Sequence, residues 1–422
     1  MDPAWARDVA IFLLILWATT GLTIVHLGVL AWRFVSRHFA RKRPREAPDT
    51  GAVDFAACPT ITFVVPVFND ALTVGATIES ILRQTMPVDR VLVIDDGSTD
   101  GTPAVLENYR SRGVTIVRLA TNGGKTRALD AALAHVDTDL VAITDADSVV
   151  DENYVQEITR DFADPDLAAV GGAVESIPHT WVTAARQIDY MLTVHIDRDA
   201  ESTMKALVVL PGVSSTYRAS TLREMGFEFD TIAEDFDMTF RMQRARKKIK
   251  MNMRAKVFTS DPPTLRAYYR QLVRWYTDFW LVLRKHRAVL GKRVFGTVEV
   301  PLLVLNATVA SAFYLVLPLW FAWHDRSRLP LYFATSFAMD LIMVTIAWRA
   351  YHRRDLWWAL ASRTPTRVLA RFAYLLAMTR VLIGRPGRAW AKLERRSNDA
   401  FLYATARRAR TGGTTRALLP NR

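Results

Sequence analysis

The chain has a single cysteine, Cys58, among its 422 residues. One cysteine excludes an internal disulfide and any zinc site built from several cysteines, and it fits a reducing compartment. The sequence also lacks a glycine-rich Walker loop ahead of a Lys-Ser or Lys-Thr pair, which argues against a P-loop NTPase. There is no internal repeat. The first apolar run exceeds the ~7–15 residues of a signal-peptide core and has no small-residue cleavage site, so we expect it to be retained.

Hydrophobic residues make up 50% of the chain and gather in long runs. The runs cover residues 9–32, 300–323 and 329–348, with Asp340 the only charged residue in the third. Each is long enough to cross a hydrocarbon layer of ~30 Å. Basic residues cluster after the first and third runs, so the positive-inside rule predicts that residues 33–298 face the cytoplasm. Asp340 has two interpretations, a functional intramembrane acid or a hydrogen-bond partner of a neighbouring helix.

The net charge of +13 is concentrated beside these runs and in the arginine-rich C-terminal tail. We therefore expect membrane lipids as partners, because each basic residue near an anionic surface contributes ~1 kcal/mol. Nucleic acid is not expected as a partner, since no basic face with aromatic stacking platforms is evident.

Short β-branched runs alternate with helical patterns after residue 58. This alternation predicts an α/β fold with a mostly parallel sheet, whose ligands bind beyond the carboxyl ends of its strands. The expected strands are 61–67, 91–94, 115–119, 140–144 and 169–174, and the expected helices are 72–84, 123–135, 153–163, 181–194, 236–246 and 262–285. The helix before the second apolar run is amphipathic and is predicted to lie in the membrane interface, as is 367–383, for which a further span is the alternative.

Two acidic clusters follow predicted strands. Asp95 and Asp96 come directly after the second strand, where a turn is an equally good explanation. Asp145 and Asp147 follow the fourth strand, and residues two apart in an extended segment point to the same side. Two converging carboxylates suit Mg²⁺ or Mn²⁺, which keep several waters and also bind substrate phosphates.

Two further clusters lie later in the chain. Glu234 and Asp235 precede a predicted helix, where one acid could be an N-terminal cap or Asp235 could be a general base. Arg274 and Trp275 lie on the amphipathic helix, where both residue types are common at interfaces. In a site, Arg274 would neutralise a leaving diphosphate and Trp275 would pack against a sugar ring.

The four clusters, in this order, resemble glycosyltransferase family 2, in particular its membrane-integrated branch of cellulose, chitin, hyaluronan and poly-N-acetylglucosamine synthases. The resemblance covers residues 58–285 and rests on DDGSTDGT, on NGGK followed by AL, on DAD, on ED and on QLVRW. It implies a GT-A-type (Rossmann-like) cytosolic domain with transmembrane and interfacial helices. It also implies a UDP-sugar donor, most plausibly one carrying N-acetylglucosamine or glucose, which is transferred with inversion to a growing β-linked polysaccharide.

The resemblance also assigns roles to individual residues. The predicted nucleotide-sugar contacts are Asp96, Lys125, Asp145 and Gln271, the predicted metal ligands are Asp147 and Asp145, the predicted catalytic residues are Asp235, Glu234 and Arg274, and the predicted acceptor contact is Trp275.

The predicted organisation is a transmembrane anchor (1–35), a basic linker (36–57), the glycosyltransferase domain (58–260), an interfacial helix (261–295), two transmembrane helices (296–350) and an interfacial helix with a basic cytoplasmic tail (351–422). The protein would be multi-pass, with its catalytic domain cytoplasmic. One alternative is non-processive transfer of a single sugar to a membrane lipid, and another is a silent scaffold that keeps the fold. The prediction leaves open a homo-oligomer or an accessory membrane subunit.

Overall fold

The structure is a computed structural model that describes residues 24–33, 58–230, 233–351 and 359–386, together with residues 10 and 22. The predicted linker 36–57 and the basic tail beyond residue 386 lie outside the described residues.

An eight-stranded sheet forms the centre of the molecule. Its strands, in spatial order, are β3-β2-β1-β4-β7-β6-β8-β5. Their bounds are β1 Ile61–Val67, β2 Arg90–Asp95, β3 Val114–Arg118, β4 Leu140–Ile143, β5 Ser148–Val150, β6 Leu167–Ser176, β7 Ser215–Arg218 and β8 Lys248–Thr259.

Helices pack on the sheet or continue away from it. Their bounds are α1 Ile24–Arg33, α2 Val74–Leu82, α3 Thr102–Glu107, α4 Lys125–Leu133, α5 Tyr154–Asp161, α6 Trp181–Leu192, α7 Asp199–Thr203, α8 Ala219–Met225, α9 Glu234–Arg244, α10 Leu265–Lys285, α11 Val300–His324, α12 Leu329–Tyr351 and α13 Leu360–Leu382.

The N-terminal half of the sheet is parallel, as predicted. β1 pairs in parallel with β2 and β4, and β2 pairs in parallel with β3. Every residue of β1 is buried because both faces of this half are covered, by the cluster around Phe63 on one side and the cluster around Leu92 on the other. A continuous apolar run is typical of a strand buried on both faces.

The other half of the sheet is mixed, which corrects the expectation of a mostly parallel sheet. β7 is antiparallel to both β4 and β6, whereas β8 is parallel to β6 and antiparallel to β5. We did not predict β5, β7 or β8. β5 and β7 are too short for a clear alternation. β8 alternates polar and apolar residues from Lys248 to Val257, a pattern that favours a strand with one face exposed, and sequence reasoning missed it.

Among the described residues, one helix, Phe295–His324, is long and apolar enough to cross a membrane. Its surface carries exposed large side chains such as Leu319 (72% exposed) and Trp323 (86%), which suit contact with lipid. The expected multi-pass topology is not supported. Only α1 and two isolated residues of the first expected run are described, and the third run forms α12, which does not meet the same criterion over its described residues.

α13 packs against both α10 and α11, and it explains Asp340. One carboxylate oxygen of Asp340 accepts a hydrogen bond from Arg363 Nε at 3.0 Å, and the other accepts from Thr364 Oγ1 at 3.0 Å and Arg367 Nη2 at 2.6 Å. Of the two interpretations offered by the sequence, the structure favours the hydrogen bond to a neighbouring helix.

Candidate active site

The site lies where the parallel strands end. β1, β4 and β2 are neighbours, so the segments that follow them converge at one edge of the sheet. Asp96 follows β2, and Asp145 and Asp147 follow β4. A cavity of about 1160 Å³ opens there. All nine residues that the sequence singled out line it, namely Asp96, Lys125, Asp145, Asp147, Glu234, Asp235, Gln271, Arg274 and Trp275.

Asp96 anchors the loop that begins α4. Its two carboxylate oxygens accept hydrogen bonds from the backbone N–H groups of Gly123, at 2.8 Å, and Gly124, at 2.7 Å. Gly124 has a φ of 87°, which favours glycine. Burial raises the pKa of the Asp96 carboxyl, and the two N–H groups oppose that shift. Lys125 follows Gly124, so the hydrogen bonds from Asp96 position Lys125 at the start of α4.

Lys125 joins two acidic clusters that lie far apart in sequence. Its ammonium nitrogen is 2.8 Å from Asp145 Oδ1 and 2.8 Å from Glu234 Oε1. Burial alone would lower the pKa of Lys125, but the two carboxylates raise it above its ordinary value. The lysine therefore stays charged and holds the end of β4 against the start of α9.

Asp235 is the second residue of α9. The cap position of this helix is Ala233, with no side-chain cap hydrogen bond, so N-capping does not explain the acidic pair. Asp235 accepts hydrogen bonds from the backbone N–H groups of Phe236, at 2.8 Å, and Gly212, at 3.3 Å. Burial and the neighbouring charge of Glu234 raise the pKa of Asp235 to about 6, against an opposing effect of Lys125. A carboxylate with this pKa can accept a proton near neutral pH.

Gly212 was not predicted as a site residue. A Cβ atom there would lie 3.2 Å from each of Asp235 Oδ2, Glu234 Oε1 and Lys125 Nζ. A Cβ at these distances would be tight, so the absence of a side chain lets the backbone approach the three groups without displacing them. A close approach of the backbone leaves no local signal in the sequence.

Helix α10 forms the opposite wall with Gln271, Arg274, Trp275 and a further acid, Asp278. Asp278 is buried, and that burial raises its pKa to about 7; Arg274 opposes the shift, whereas Asp235 and Glu234 add to it. Sequence reasoning missed Asp278. Its position four residues after Arg274 on a predicted helix could have placed both on one face.

The donor atoms present fit a divalent ion bound together with a phosphate ligand. Asp145 is 35% exposed and Asp147 is buried, and both line the cavity. No group of three or more potential metal ligands occurs among the described residues. Two carboxylates leave most of an octahedral shell to waters and phosphate oxygens, as is usual for Mg²⁺.

Comparison with known proteins identifies the class. Residues 62–226 match glycosyl transferase family 2. An N-acetylglucosaminyltransferase of Rhizobium meliloti is 30% identical over 63% of this chain and 67% of its own length. The poly-beta-1,6-N-acetyl-D-glucosamine synthase of Staphylococcus epidermidis is 24% identical over 67% of this chain and 72% of its own length.

The fold is similar to that of a solved mannosyltransferase, PcManGT from Pyrobaculum calidifontis, in complex with GDP-Man and Mn²⁺. The TM-score is 0.55 at 21% identity, and the match covers 89% of this chain and 99% of the other.

Fold and site together define a sugar-transferring enzyme with a GT-A-type α/β fold, as the resemblance implied. The chain belongs to glycosyltransferase family 2. The resemblance to the branch that includes poly-N-acetylglucosamine synthases is confirmed.

Proposed function

We propose that the enzyme transfers N-acetylglucosamine from a UDP-sugar to a growing β-linked polysaccharide, with inversion at the anomeric carbon. One observation carries the proposal: Lys125 ties the metal-type acid Asp145 to the Glu234–Asp235 pair, with Arg274 and Trp275 lining the same cavity. The choice of sugar is supported by the two relatives whose names specify N-acetylglucosamine. Glucose is the second choice.

Asp235 is the general base of the proposed reaction. Its carboxylate takes the proton from an acceptor hydroxyl while that oxygen attacks the anomeric carbon and the bond to the diphosphate breaks. A single displacement inverts the centre, so an α-linked donor gives a β-linked product. Glu234 keeps Lys125 in place, and burial together with the charge of Glu234 raises the pKa of Asp235 to about 6.

The donor diphosphate needs positive charge as it leaves. A divalent ion, Mg²⁺ or Mn²⁺, supplies that charge when it is bound by Asp147 and Asp145. Arg274, on the facing helix, adds a fixed guanidinium fork. Lys125 and Gln271 contact the nucleotide-sugar in this proposal, and Asp96 positions the loop that carries Lys125.

We further propose that the sheet-containing domain, 58–260, lies on the cytoplasmic side, with α10 in the interface and Phe295–His324 in the bilayer. The cavity supports a placement of this domain against the bilayer, because Leu303 and Ala307 of the apolar helix form part of its wall; the cytoplasmic side is supported by the basic residues after the first and third apolar runs. The expected anchor at 1–35, the basic linker at 36–57 and the second span within 296–350 remain predictions.

The contact between the cavity and the apolar helix also favours a second candidate function, the transfer of one sugar to a membrane lipid. A cavity that reaches an apolar helix can admit the head of a lipid acceptor as well as a saccharide chain. The two functions differ in product length.

The test is release of nucleoside diphosphate by the full chain in nanodiscs, across UDP- and GDP-sugars, with Mn²⁺, with Mg²⁺ and with a chelator. We expect metal-dependent turnover of UDP-N-acetylglucosamine. The labelled products are then separated by size, where a ladder supports polymer synthesis and one lipid-soluble product supports the second candidate. Metal-independent turnover, or turnover of a GDP-sugar alone, would contradict the proposal.

A further inference from the structure

A pair of buried charged side chains, Arg186 and Asp261, lies in the wall of the same cavity. Neither side chain has a role in the proposed chemistry. Arg186 is on α6, and Asp261 follows β8. Both side chains are buried, Arg186 with 7% exposed and Asp261 with 4%. Arg186 Nε and Asp261 Oδ1 are 3.7 Å apart, which is an ion pair but longer than a hydrogen bond.

Both residues have buried polar atoms without a hydrogen-bond partner among the described residues. These atoms are Arg186 Nε, Arg186 Nη2 and Asp261 Oδ2, and Gln271 Oε1 is in the same condition. An unmet buried donor or acceptor costs about 1–3 kcal/mol, more when the group is charged. Buried polar atoms of this kind on a cavity wall indicate that a polar ligand forms the missing hydrogen bonds.

Aromatic rings hold Arg186 in place. Its guanidinium carbon lies 4.5 Å from the ring centroid of Tyr190, 4.9 Å from that of Trp275 and 5.3 Å from that of Tyr268. These rings and the hydroxyls of Tyr190 and Tyr268, which interact with the guanidinium, restrict its position, while Nε and Nη2 keep no hydrogen-bond partner among the described residues. Arg186 therefore presents hydrogen-bond donors beside Trp275, and Asp261 presents a hydrogen-bond acceptor next to them.

We propose that Arg186 and Asp261 form the subsite for the acceptor sugar, a neutral pyranose with a hydroxyl that donates to Asp261 and an oxygen that accepts from Arg186. The pair carries no net charge, so it suits sugar hydroxyls and does not suit the donor diphosphate. Trp275 supplies the apolar wall of the same subsite. This inference rests on the proposed function, since it names the residues that select its acceptor.

Binding and turnover are measured separately. Short β-linked oligosaccharides of N-acetylglucosamine, glucose and mannose are titrated by calorimetry into the full chain in detergent, without donor. We compare the wild type with Asp261→Asn, Arg186→Lys and a matched control, Asp189→Asn. Asp189 lies on the same helix and lines the same cavity, but its carboxylate already accepts from Arg363 Nη1 at 2.9 Å.

We expect one saccharide class to bind, with its Kd raised about tenfold or more in Asp261→Asn and Arg186→Lys, as for the loss of a hydrogen bond to a charged group. Asp189→Asn should bind as the wild type does, and the donor KM should change by less than about twofold in both subsite variants. A raised donor KM with unchanged oligosaccharide binding would assign the pair to the donor and overturn the proposal.

A set of monodeoxy oligosaccharides separates direct contact from a structural effect. For the wild type, removal of one particular hydroxyl should weaken binding about tenfold, whereas Asp261→Asn should bind the deoxy and parent compounds almost equally. Equal losses in both proteins would overturn the proposal, as would the absence of oligosaccharide binding by the wild type. Failure of the proposed function shows separately, as the absence of metal-dependent UDP release.

Discussion

Two clusters of acidic and basic side chains in this protein differ in their balance of charge. The cavity cluster consists of Lys125, Asp145, Glu234 and Asp235, three acids around one lysine. The helix cluster consists of Asp189, Asp340, Arg363 and Arg367, two acids and two arginines that join α6, α12 and α13.

The difference lies in what each cluster still needs. In the helix cluster, Asp340 is fully buried and both its oxygens accept hydrogen bonds, and the two acids balance the charges of the two arginines. In the cavity cluster the acids outnumber the lysine beside an open cavity, and the pKa of Asp235 is raised to about 6. An excess of one charge in a cleft is typical of a site that binds an oppositely charged ligand. We therefore expect damage to the cavity cluster to remove activity, and damage to the helix cluster to remove stability.

Asp235→Asn should have the largest effect. Loss of the general base is expected to lower kcat about 10³-fold, with little change in donor KM. The pKa of Asp235 is 3.8 in the unfolded chain and about 6 in the folded protein, so the free energy of unfolding falls as pH rises through this interval. At pH 7 the variant should therefore melt at the same temperature as the wild type or higher. UDP release and a thermal melt measure the two quantities; full turnover in this variant would refute the assignment of the base.

Lys125→Met removes the only cation of the cavity cluster. We expect kcat/KM to fall about 10²-fold, because Asp145 and Glu234 lose their shared partner. Lys125 lowers the pKa of Asp235, so its removal should also shift the acidic limb of the rate profile to higher pH. A pH–rate series measures this shift. An unmoved limb would show that Lys125 does not act on the base.

Asp340→Leu breaks the helix cluster instead. Arg367 would lose its carboxylate partner and Arg363 would keep only Asp189, and breaking a buried ion pair costs about 3–5 kcal/mol of stability. Activity per folded molecule should stay within about twofold of the wild type. A melt in detergent gives the first value and UDP release normalised to folded protein gives the second. If Asp340→Leu were as stable as the wild type but inactive, the assignment of the helix cluster to stability would be wrong.

Gly212→Ala tests the packing of the cavity cluster without changing any charge. The added Cβ would lie 3.2 Å from Asp235, Glu234 and Lys125, which must shift by a few tenths of an ångström. We expect kcat to fall about tenfold, since a 1 Å misplacement of reacting groups can cost about 10²-fold. Gly113→Ala is a control for the loss of a glycine, since a Cβ there meets nothing within 4 Å, although its φ of 82° costs some stability.

The wild-type pH profile and Asp278→Asn give the smallest effects. Asp235 must be deprotonated to act, so kcat/KM should be constant at neutral pH and fall below about pH 6. The pKa of Asp278 is raised to about 7, so this carboxyl is mostly neutral at the pH of the limb, and Asp278→Asn should leave the limb almost unmoved. A limb that moves clearly to lower pH in this variant would mean that Asp278 is charged at about pH 6 and acts on the base.

Much of the parallel half-sheet could be predicted because its information is local. β1 and β2 are apolar runs bounded by turn residues, and their carboxyl ends must lie together in any parallel sheet. β8 was missed although its alternating polar and apolar residues favour a strand. Its place between β6 and β5, by contrast, depends on tertiary pairing, which no local pattern records. Asp261 follows β8, so without this strand there was no element on which to place it.

The sequence by itself determined many of the chemical groups in the cavity: acids after the ends of β2 and β4, an acidic pair at the start of α9, and Arg274 with Trp275 on α10. Strand ends and helix faces follow from the periodicity of the chain, so residue type and spacing suffice for these.

The tertiary structure alone decided the partners. It set Lys125 between Asp145 and Glu234, brought the backbone of Gly212 against them, and gave Asp340 its arginines on α13. Such contacts join residues distant in sequence, and they depend on loop conformation and packing, which no local pattern records.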